Sequence, residues 1–510
     1  MNAPAVVIGV DVGTTATKVV AVEASGAVVG SVERGYPTRT TEPGEAVQDP
    51  VVLREAALDA VTRCAENSVA AGRDVAGLAF TGALHSLLGL DRAGEPVTPV
   101  YSWADTRAAG AAQRLRAEPA GDALHRETGT PVHPMSPLVT LRWLAEEEPE
   151  RHAGVACWCA AKDAVLAAFV GRLVTDRSTA SASGLLAMST RGWSPAALAA
   201  AGLTASELPE LVEPTEILAL DAVAAARTGL PAGLPVVAGG GDGPLANLGV
   251  GAVAAGTAAV SVGTSAALRV ATARPAVDID GRTFCYLLAE DTWVVGGAVS
   301  NGGVVAQWAA ELLGTDLAEL LAEATAVTPG AAGLLALPAL LGERAPYWDP
   351  VPRGTLLGLR REHRREHLVR ALLDGVCLRL AMVRDAVVHA GSEVRAIRAT
   401  GGALRSPAWT ASLTAALGSP VQLAEATGGS GLGAALLGWR AMGAFDSLAA
   451  AAAVLPAGQT VVPDPDAVRR LAGLRPLADR AHHALGGIAA ELSGLAEQWE
   501  LTAPARPGRR

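Results

Sequence analysis

The sequence lacks the features that mark membrane proteins, disulfide-bonded secreted proteins and nucleic-acid-binding proteins. No apolar run reaches the ~18 residues that a membrane-spanning helix needs, and no basic segment followed by an apolar one opens the chain. Five cysteines in 510 residues, an odd number, do not make a disulfide framework. The formal charge is −10, and no basic block lies outside the last few residues. These absences predict a cytoplasmic globular protein of two or three domains, at roughly 150 residues per domain.

Lysine is also scarce. The chain contains only Lys18 and Lys162, against 39 arginines. Because arginine serves almost everywhere else, a retained lysine indicates a position that the planar guanidinium does not suit. Chance retention at two exposed sites is the alternative. Lys18 lies in the stretch DVGTTATK, residues 11–18, which favours a functional reason.

That stretch joins two predicted strands. Alternating apolar residues predict strands over 5–11, 17–24 and 27–34, a helix from Asp49 to Gly72, and a strand over 75–83. Three antiparallel strands followed by helix and strand are typical of a mixed α/β domain. The turn GTT offers small residues, backbone N–H groups and hydroxyls, which suit a phosphate group. A simple hairpin turn is the alternative.

The second half of the sequence repeats this unit. AVSVGTS, residues 259–265, matches VIGVDVGTT at an offset of 250, so that Gly263 corresponds to Gly13. Asp11 is replaced by Ser261 in the repeat. We therefore expect two related domains, residues 1–250 and 251–510, that face each other across a cleft. A single carboxylate suits a nucleotide whose Mg²⁺ ion lies between two phosphate-binding turns. Two unrelated turns remain the alternative.

Other glycine-rich segments suggest where the chemistry lies. PVVAGGGDGPLANLGVGA, residues 235–252, places Asp242 at the end of a predicted strand, where a lone carboxylate suits a general base. An ordinary Gly-Asp-Gly turn is the alternative. SNGGVVAQW and TGGALRSPAW predict that the nucleotide binds mainly to the second half. GGSGLGAALLG, residues 428–438, predicts a helix packed closely on a sheet.

Together these motifs resemble the FGGY carbohydrate kinases, from residue 6 to about residue 445. DVGTTATK is similar to the family's first phosphate motif, GDG to its catalytic-base segment, and residues 342–376 to its C-terminal signature. Lys162 matches a family Lys-Asp pair. The resemblance implies an α/β fold of two related ribonuclease-H-like domains, of the actin and hexokinase type, with a cleft between them. It also implies ATP and Mg²⁺ as cofactors.

The resemblance further implies individual roles. Asp242 is the expected catalytic base, and Asp11 the expected metal ligand. The residues expected to bind the nucleotide are Thr14, Thr15, Lys18, Gly263, Thr264, Gly303, Gln307, Gly402, Ala403 and Ser406.

Within the family, residues 82–108 and 128–144 are similar to the gluconate kinases. Two positions differ, because Thr106 stands where those kinases more often have Asn, and Thr140 where Lys is common. The implied reaction is ATP-dependent phosphorylation of D-gluconate at its 6-hydroxyl. A kinase of xylulose or another polyol is the first alternative, and an actin- or chaperone-like ATPase that binds protein partners is the second.

A sugar acid needs hydrogen-bonding groups, a cation for its carboxylate and an aromatic wall. His85, Trp103, Asp105 and Arg107 offer this set within 23 residues. The forked guanidinium of Arg107 suits a carboxylate, and an ion pair with Asp105 is an equal alternative for this residue. The expected partner is thus a small sugar acid, with neither nucleic acid nor membrane, and a homodimer is left open.

Overall fold

Two mixed β-sheets, one from each half of the sequence, organise the protein in a computed structural model that describes residues 4–349, 351–424 and 428–502. The first sheet has the spatial order Ile217–Ala219, Pro235–Gly241, Asp74–Gly82, Ala5–Val12, Ala16–Glu23 and Val28–Gly35. The second has the order Phe284–Ala289, Thr292–Val299, Ala266–Thr272, Thr257–Val262, Ala396–Thr400, Val421–Leu423 and Thr460–Val461. Short strands pair outside them: Val47–Gln48 with Val100–Tyr101, Leu88–Leu90 with Cys157–Cys159, Val174–Asp176 with Glu210–Val212, Leu186–Ala187 with Gly192–Trp193, and Leu335–Leu337 with Thr355–Leu357.

Helices cover both sheets. In the first half they are Pro50–Ala70, Ala109–Ala117, Pro119–Thr128, Pro137–Glu147, Pro149–Ala153, Ala161–Val170, Arg177–Ser181, Pro195–Ala201, Ala222–Thr228 and Asp242–Gly249. In the second half they are Val304–Leu313, Leu317–Thr325, Arg365–His389, Pro407–Leu417, Gly429–Ala441, Leu448–Ala453 and Pro465–Thr502. Three short 3₁₀ turns are Ala205–Glu207, Ala331–Gly333 and Gly402–Arg405. Among the described residues, none of these helices is long and apolar enough to cross a membrane.

The two sheets are built in the same way around a central strand. Ala5–Val12 pairs antiparallel with the strand that follows it and parallel with Asp74–Gly82. Thr257–Val262 likewise pairs antiparallel with the next strand and parallel with Ala396–Thr400. Each central strand ends at a glycine turn, so the two turns predicted from the sequence repeat occupy equivalent places. The duplicated α/β arrangement predicted from the sequence is present.

Alternation along the opening strand produces two packing faces. Val6, Ile8 and Val10 are fully buried in the cluster that includes helix Pro50–Ala70. That helix begins as predicted, because the carboxylate of Asp49 accepts hydrogen bonds from the first free backbone N–H groups.

The opposite face of the first sheet is covered by helix Gly429–Ala441, which comes from the second half of the chain. A Cβ atom on Gly9 would lie 2.0 Å from the carbonyl oxygen of Gly431, and one on Gly433 would lie 1.9 Å from that of Leu245. Only glycine allows this helix to approach both the sheet and helix Asp242–Gly249. The predicted close packing of residues 428–438 is confirmed. A domain boundary at residue 250 separates the first sheet from this helix, which covers one of its two faces.

Candidate active site

Asp242 lies at the junction of strand Pro235–Gly241 and helix Asp242–Gly249. Its Oδ1 accepts hydrogen bonds from the backbone N–H of Gly243 at 2.7 Å and of Leu84 at 3.3 Å. Burial raises the pKa of the carboxyl, while these N–H groups and the charges of Arg269 and Arg344 act in the opposite direction. The backbone thus fixes one oxygen of the carboxylate.

Asp11 lies at the end of the neighbouring central strand, close enough to Asp242 for their charges to interact. Its Oδ2 accepts a hydrogen bond of 2.6 Å from Ser430 Oγ. Burial raises the pKa of Asp11 to about 6, Ser430 opposes this, and the charge of Asp242 raises the pKa further. Oδ1 of Asp11 is buried and has no hydrogen-bond partner among the described residues, and the same holds for the hydroxyl of Thr81 on the adjacent strand. Unsatisfied oxygen atoms of this kind fit a hydrated Mg²⁺ ion.

Asn in place of Asp11 should raise the melting temperature of the ligand-free protein. The folded protein favours the protonated carboxyl, so the stability that Asp11 contributes is present below about pH 4 and is lost as the pH rises through about 6. At pH 7.5 a neutral amide removes this penalty. Differential scanning fluorimetry measures the shift, with the exposed Asp446→Asn as the matched control. The same variant should lose the additional stabilisation that Mg²⁺ gives in the presence of ATP; a lower melting temperature than that of the unmodified protein would contradict this account.

The first glycine turn is held by hydrogen bonds from three side chains. The carbonyl of Gly13 accepts a hydrogen bond of 2.7 Å from Tyr36, and that of Thr14 accepts one from Gln48. The Thr14 hydroxyl accepts from Trp103 Nε1 at 2.9 Å, which leaves its own proton free to donate to a ligand. The turn therefore presents a fixed donor towards the cleft.

The other two residues of the first half that were predicted to bind the nucleotide are exposed. Thr15 lies at the tip of the turn, and Lys18 lies opposite Asp11 in the strand register. Lys18 forms no ion pair with the described carboxylates, although its charge lowers the pKa of Asp11. Its ammonium group is therefore available to a phosphate.

The second glycine turn opens into a cavity of about 520 Å³ that is also lined by residues of three helices, Val304–Leu313, Leu317–Thr325 and Pro407–Leu417. The cavity is lined by all the residues of the second half that were predicted to bind the nucleotide: Gly263, Thr264, Gly303, Gln307, Gly402, Ala403 and Ser406. Leu317 and Leu321 add an apolar wall that the sequence did not indicate. Gly401 passes under the turn at φ 122°, where a Cβ would lie 2.2 Å from Val262 O. A cavity of this size and mixed lining suits a nucleoside.

Leucine in place of Gly402 should block this cavity without harming the fold. A Cβ at Gly402 meets no heavy atom within 4 Å. We expect KM for ATP to rise by roughly tenfold, a loss of ~1.4 kcal/mol of binding free energy, at an unchanged melting temperature. Gly473→Leu, at an exposed glycine with equally open surroundings, is the matched control. Steady-state kinetics at varied ATP decide the matter, and an unchanged KM would show that the nucleotide binds elsewhere.

His85 and Trp103 lie on the first-half side of the cleft. His85 Nε2 shares a hydrogen bond of 3.4 Å with the hydroxyl of Tyr286, a residue of the second sheet. Burial lowers the pKa of His85 to about 4, so the ring is neutral at pH 7. The guanidinium carbon of Arg344 lies 4.8 Å from the centroid of the Trp103 ring. Tyr286 and Arg344 are thus cleft residues to which the sequence analysis assigned no role, although Arg344 lies in the quoted signature.

Asp105 and Arg107 form an ion pair instead of pointing separately into the cleft. Arg107 donates from Nη2 at 2.7 Å and from Nε at 3.1 Å to the Asp105 carboxylate. Asp105 also accepts from the backbone N–H of Ala46 at 3.1 Å. This geometry corresponds to the alternative interpretation of Arg107, since Asp105 engages its Nε and Nη2 and its Nη1 lies 4.0 Å from Glu45 Oε1. A direct sugar contact by this pair stays a prediction, and the geometry favours positioning of the Trp103 segment.

The two positions that depart from the gluconate kinase pattern are accommodated locally. Thr106 is exposed and donates a hydrogen bond of 3.5 Å to Gly44 O. Thr140 is buried and donates to the carbonyl of Ser136 at 3.3 Å within its own helix. Neither side chain leaves an unsatisfied hydroxyl.

Lys162 is fully buried beneath the strand that carries Asp242. Its ammonium group lies 2.8 Å from Asp176 Oδ2 and 3.2 Å from Asp163 Oδ1, and it donates a hydrogen bond of 3.2 Å to Ala238 O. Burial favours the neutral amine, but the two carboxylates outweigh it and raise the pKa of Lys162. The alternative of chance retention at an exposed site therefore does not apply to Lys162.

Comparisons with known proteins agree with this geometry. The N-terminal domain of the FGGY family of carbohydrate kinases matches residues 6–249, and its C-terminal domain matches residues 258–442. The chain is 35% identical to the gluconokinase of Bacillus subtilis over 484 residues, which are 92% of this chain and 94% of that protein.

Two solved structures are also similar. A gluconate kinase from Lactobacillus acidophilus superposes with a TM-score of 0.91 at 29% identity, covering 96% of this chain and 100% of its own. A ligand-bound xylulose kinase from the same organism gives the same TM-score and identity, covering 96% and 99%. The predicted fold class, two domains of the actin and hexokinase type, is confirmed. The chain is therefore a member of the FGGY family of carbohydrate kinases, enzymes that transfer a phosphoryl group to a carbohydrate.

Proposed function

We propose that the protein phosphorylates D-gluconate at the 6-hydroxyl, with ATP as phosphoryl donor, to give 6-phosphogluconate and ADP. The observation that carries the proposal is the setting of Asp242: two backbone N–H groups fix its carboxylate, and the charges of Asp11 and Arg344 both act on it. The 35% identity to a gluconokinase over nearly the whole chain supports the substrate.

In the proposed reaction Asp242 takes the proton of the 6-hydroxyl as that oxygen attacks the γ-phosphorus of ATP. The new bond joins O6 to phosphorus, the bond from phosphorus to the β–γ bridging oxygen breaks, and its electron pair leaves with ADP. Because the transition state of phosphoryl transfer is loose, positioning and charge neutralisation contribute more than base strength. The raised pKa of Asp242 makes its carboxylate a stronger proton acceptor, which suits a general base.

The nucleotide is proposed to span both turns. Its nucleoside would occupy the cavity beside Gly402 and Ala403, and its phosphates would meet the Thr264 turn and the Thr14 turn. Lys18 is free to add a positive charge at the second of these. Asp11, through its unsatisfied Oδ1, would hold the Mg²⁺ ion, which supplies charge neutralisation to the phosphates when bound.

Release of ADP by the purified protein with MgATP tests the proposal. The panel contains D-gluconate, D-xylulose, L-ribulose, glycerol and a reaction without sugar. We expect ADP to be released at least tenfold faster with gluconate than with any other compound of the panel, since only gluconate has a carboxylate. ADP release with xylulose or glycerol instead would support phosphoryl transfer to a carbohydrate but would contradict gluconate as the substrate. Equal release with or without sugar would favour a partner-binding ATPase.

A further inference from the structure

Arg344 is a largely buried cation that forms no ion pair with a carboxylate of the described residues. It lies in the segment between strands Leu335–Leu337 and Thr355–Leu357, and no carboxylate among the described residues lies within ion-pair distance of it. The adjacent Glu343 is the strongest opposite charge that acts on Arg344, but it forms no ion pair with the guanidinium. Its Oε1 accepts from the backbone N–H of Ser300 and of Arg344, each at 3.1 Å, and its Oε2 faces Arg379 Nε at 3.8 Å.

The guanidinium is also incompletely hydrogen-bonded. Nη2 donates to Val299 O at 3.3 Å, whereas Nε is buried and has no partner among the described residues. By contrast, the buried guanidinium of Arg370 donates to Ala324 O, Ala408 O and Ser412 Oγ. A buried cation with an unused donor is costly unless an anion meets it.

The groups around Arg344 do not supply that anion. The Trp103 ring lies beneath the guanidinium of Arg344. The positive charge of Arg344 lowers the pKa of both His85 and His133, and burial already keeps these two imidazoles neutral. The charge of Arg344 also acts on Tyr286 and Asp242. Asp242 is not within ion-pair distance of Arg344 and keeps its own backbone partners.

We propose that Arg344 is the anion subsite of the sugar pocket and binds the carboxylate of the substrate through its forked guanidinium. The inference rests on the proposed function, because a substrate without a carboxylate would leave this cation unmatched. An extended six-carbon acid carries its carboxylate and its 6-hydroxyl at opposite ends, and the pocket offers Arg344 and Asp242 as two separate polar groups. A phosphoryl oxygen of ATP presents the same chemistry to Arg344 and is the other source of the anion.

Calorimetric binding distinguishes these sources. D-gluconate and the neutral D-glucitol, which has a CH₂OH group in place of the carboxylate, are titrated into the unmodified protein, Arg344→Gln and Arg344→Lys. We expect Arg344→Gln to bind gluconate about 10- to 100-fold more weakly, as for the loss of one charged bidentate pair, with glucitol and MgATP binding unchanged. Arg344→Lys should recover only part of the loss because it keeps the charge without the fork.

Arg107→Gln is the rival variant, since Arg107 is the carboxylate partner predicted from the sequence. Melting temperatures of all variants show which of them fold. A preference for gluconate over glucitol that survives Arg344→Gln, or that Arg107→Gln abolishes instead, would overturn the inference. So would a fall in kcat on every substrate with unchanged gluconate binding, which would assign Arg344 to the phosphoryl group. If the unmodified protein itself shows no preference for gluconate over glucitol, the proposed function fails and this inference fails with it.

Discussion

Asn in place of Asp242 should reduce kcat by about 10²- to 10⁴-fold, the range for loss of a positioned general base. The amide keeps the hydrogen bonds that Oδ1 accepts from Gly243 and Leu84, but it cannot take the proton of the attacking hydroxyl. Because Asp242 is proposed to contact the sugar hydroxyl and not the nucleotide, the Kd of MgATP should change by less than about threefold. Single-turnover kinetics and calorimetry measure the two quantities separately.

The matched control for this variant is Asp446→Asn, which makes the same chemical change at an exposed position. It should leave kcat and the Kd of MgATP unaltered. If Asp242→Asn retains more than half of kcat, or if it loses ATP binding in proportion to kcat, then Asp242 does not act as the base. The Gly-Asp-Gly segment would then be a structural turn.

Methionine in place of Lys162 should lower the free energy of unfolding by about 3–5 kcal/mol, the cost of breaking a buried ion pair. The substitution preserves the length of the side chain but leaves Asp163 and Asp176 as neighbouring buried carboxylates without a cation. Urea unfolding followed by circular dichroism measures the difference. Lys18→Met is the natural control, since Lys18 is the exposed lysine of the chain and its removal should change stability by less than about 0.5 kcal/mol.

A second variant separates the charge effect from simple loss of packing. Lys162→Met combined with Asp176→Asn removes one of the two stranded charges and should recover part of the lost stability. Asp176 also accepts from Thr179 N, and an amide oxygen can keep that bond. No recovery in the double variant would mean that Lys162 stabilises the protein by packing alone.

The parts of the site that depend on local sequence were predictable. The same local pattern, apolar alternation followed by a glycine turn, occurs in both halves. The sequence repeat therefore predicted that Gly13 and Gly263 follow equivalent ends of two central strands. The glycine-marked loops of the second half likewise converge on one cavity, because the ends of neighbouring parallel strands meet at one edge of a sheet.

The contacts that cross the chain were not predictable in this way. Ser430 reaches Asp11 across 419 residues, and Tyr286 reaches His85 across 201. Such partners depend on how helix Gly429–Ala441 and the second sheet pack against the first half, which no local pattern specifies. Arg107 differs from these cases, because its ion pair with Asp105 is a local contact that the sequence analysis gave as an equal alternative to a substrate carboxylate.

Identification of the reaction product tests the central claim most directly. The protein is incubated with D-gluconate and MgATP, and phosphorus and carbon NMR follow the mixture. We predict one phosphate ester on C6 of gluconate, formed in equal amount with ADP, and no ester with Asp242→Asn. ADP accompanied by inorganic phosphate alone, or an ester on another carbon, would contradict the proposed placement of the 6-hydroxyl against Asp242.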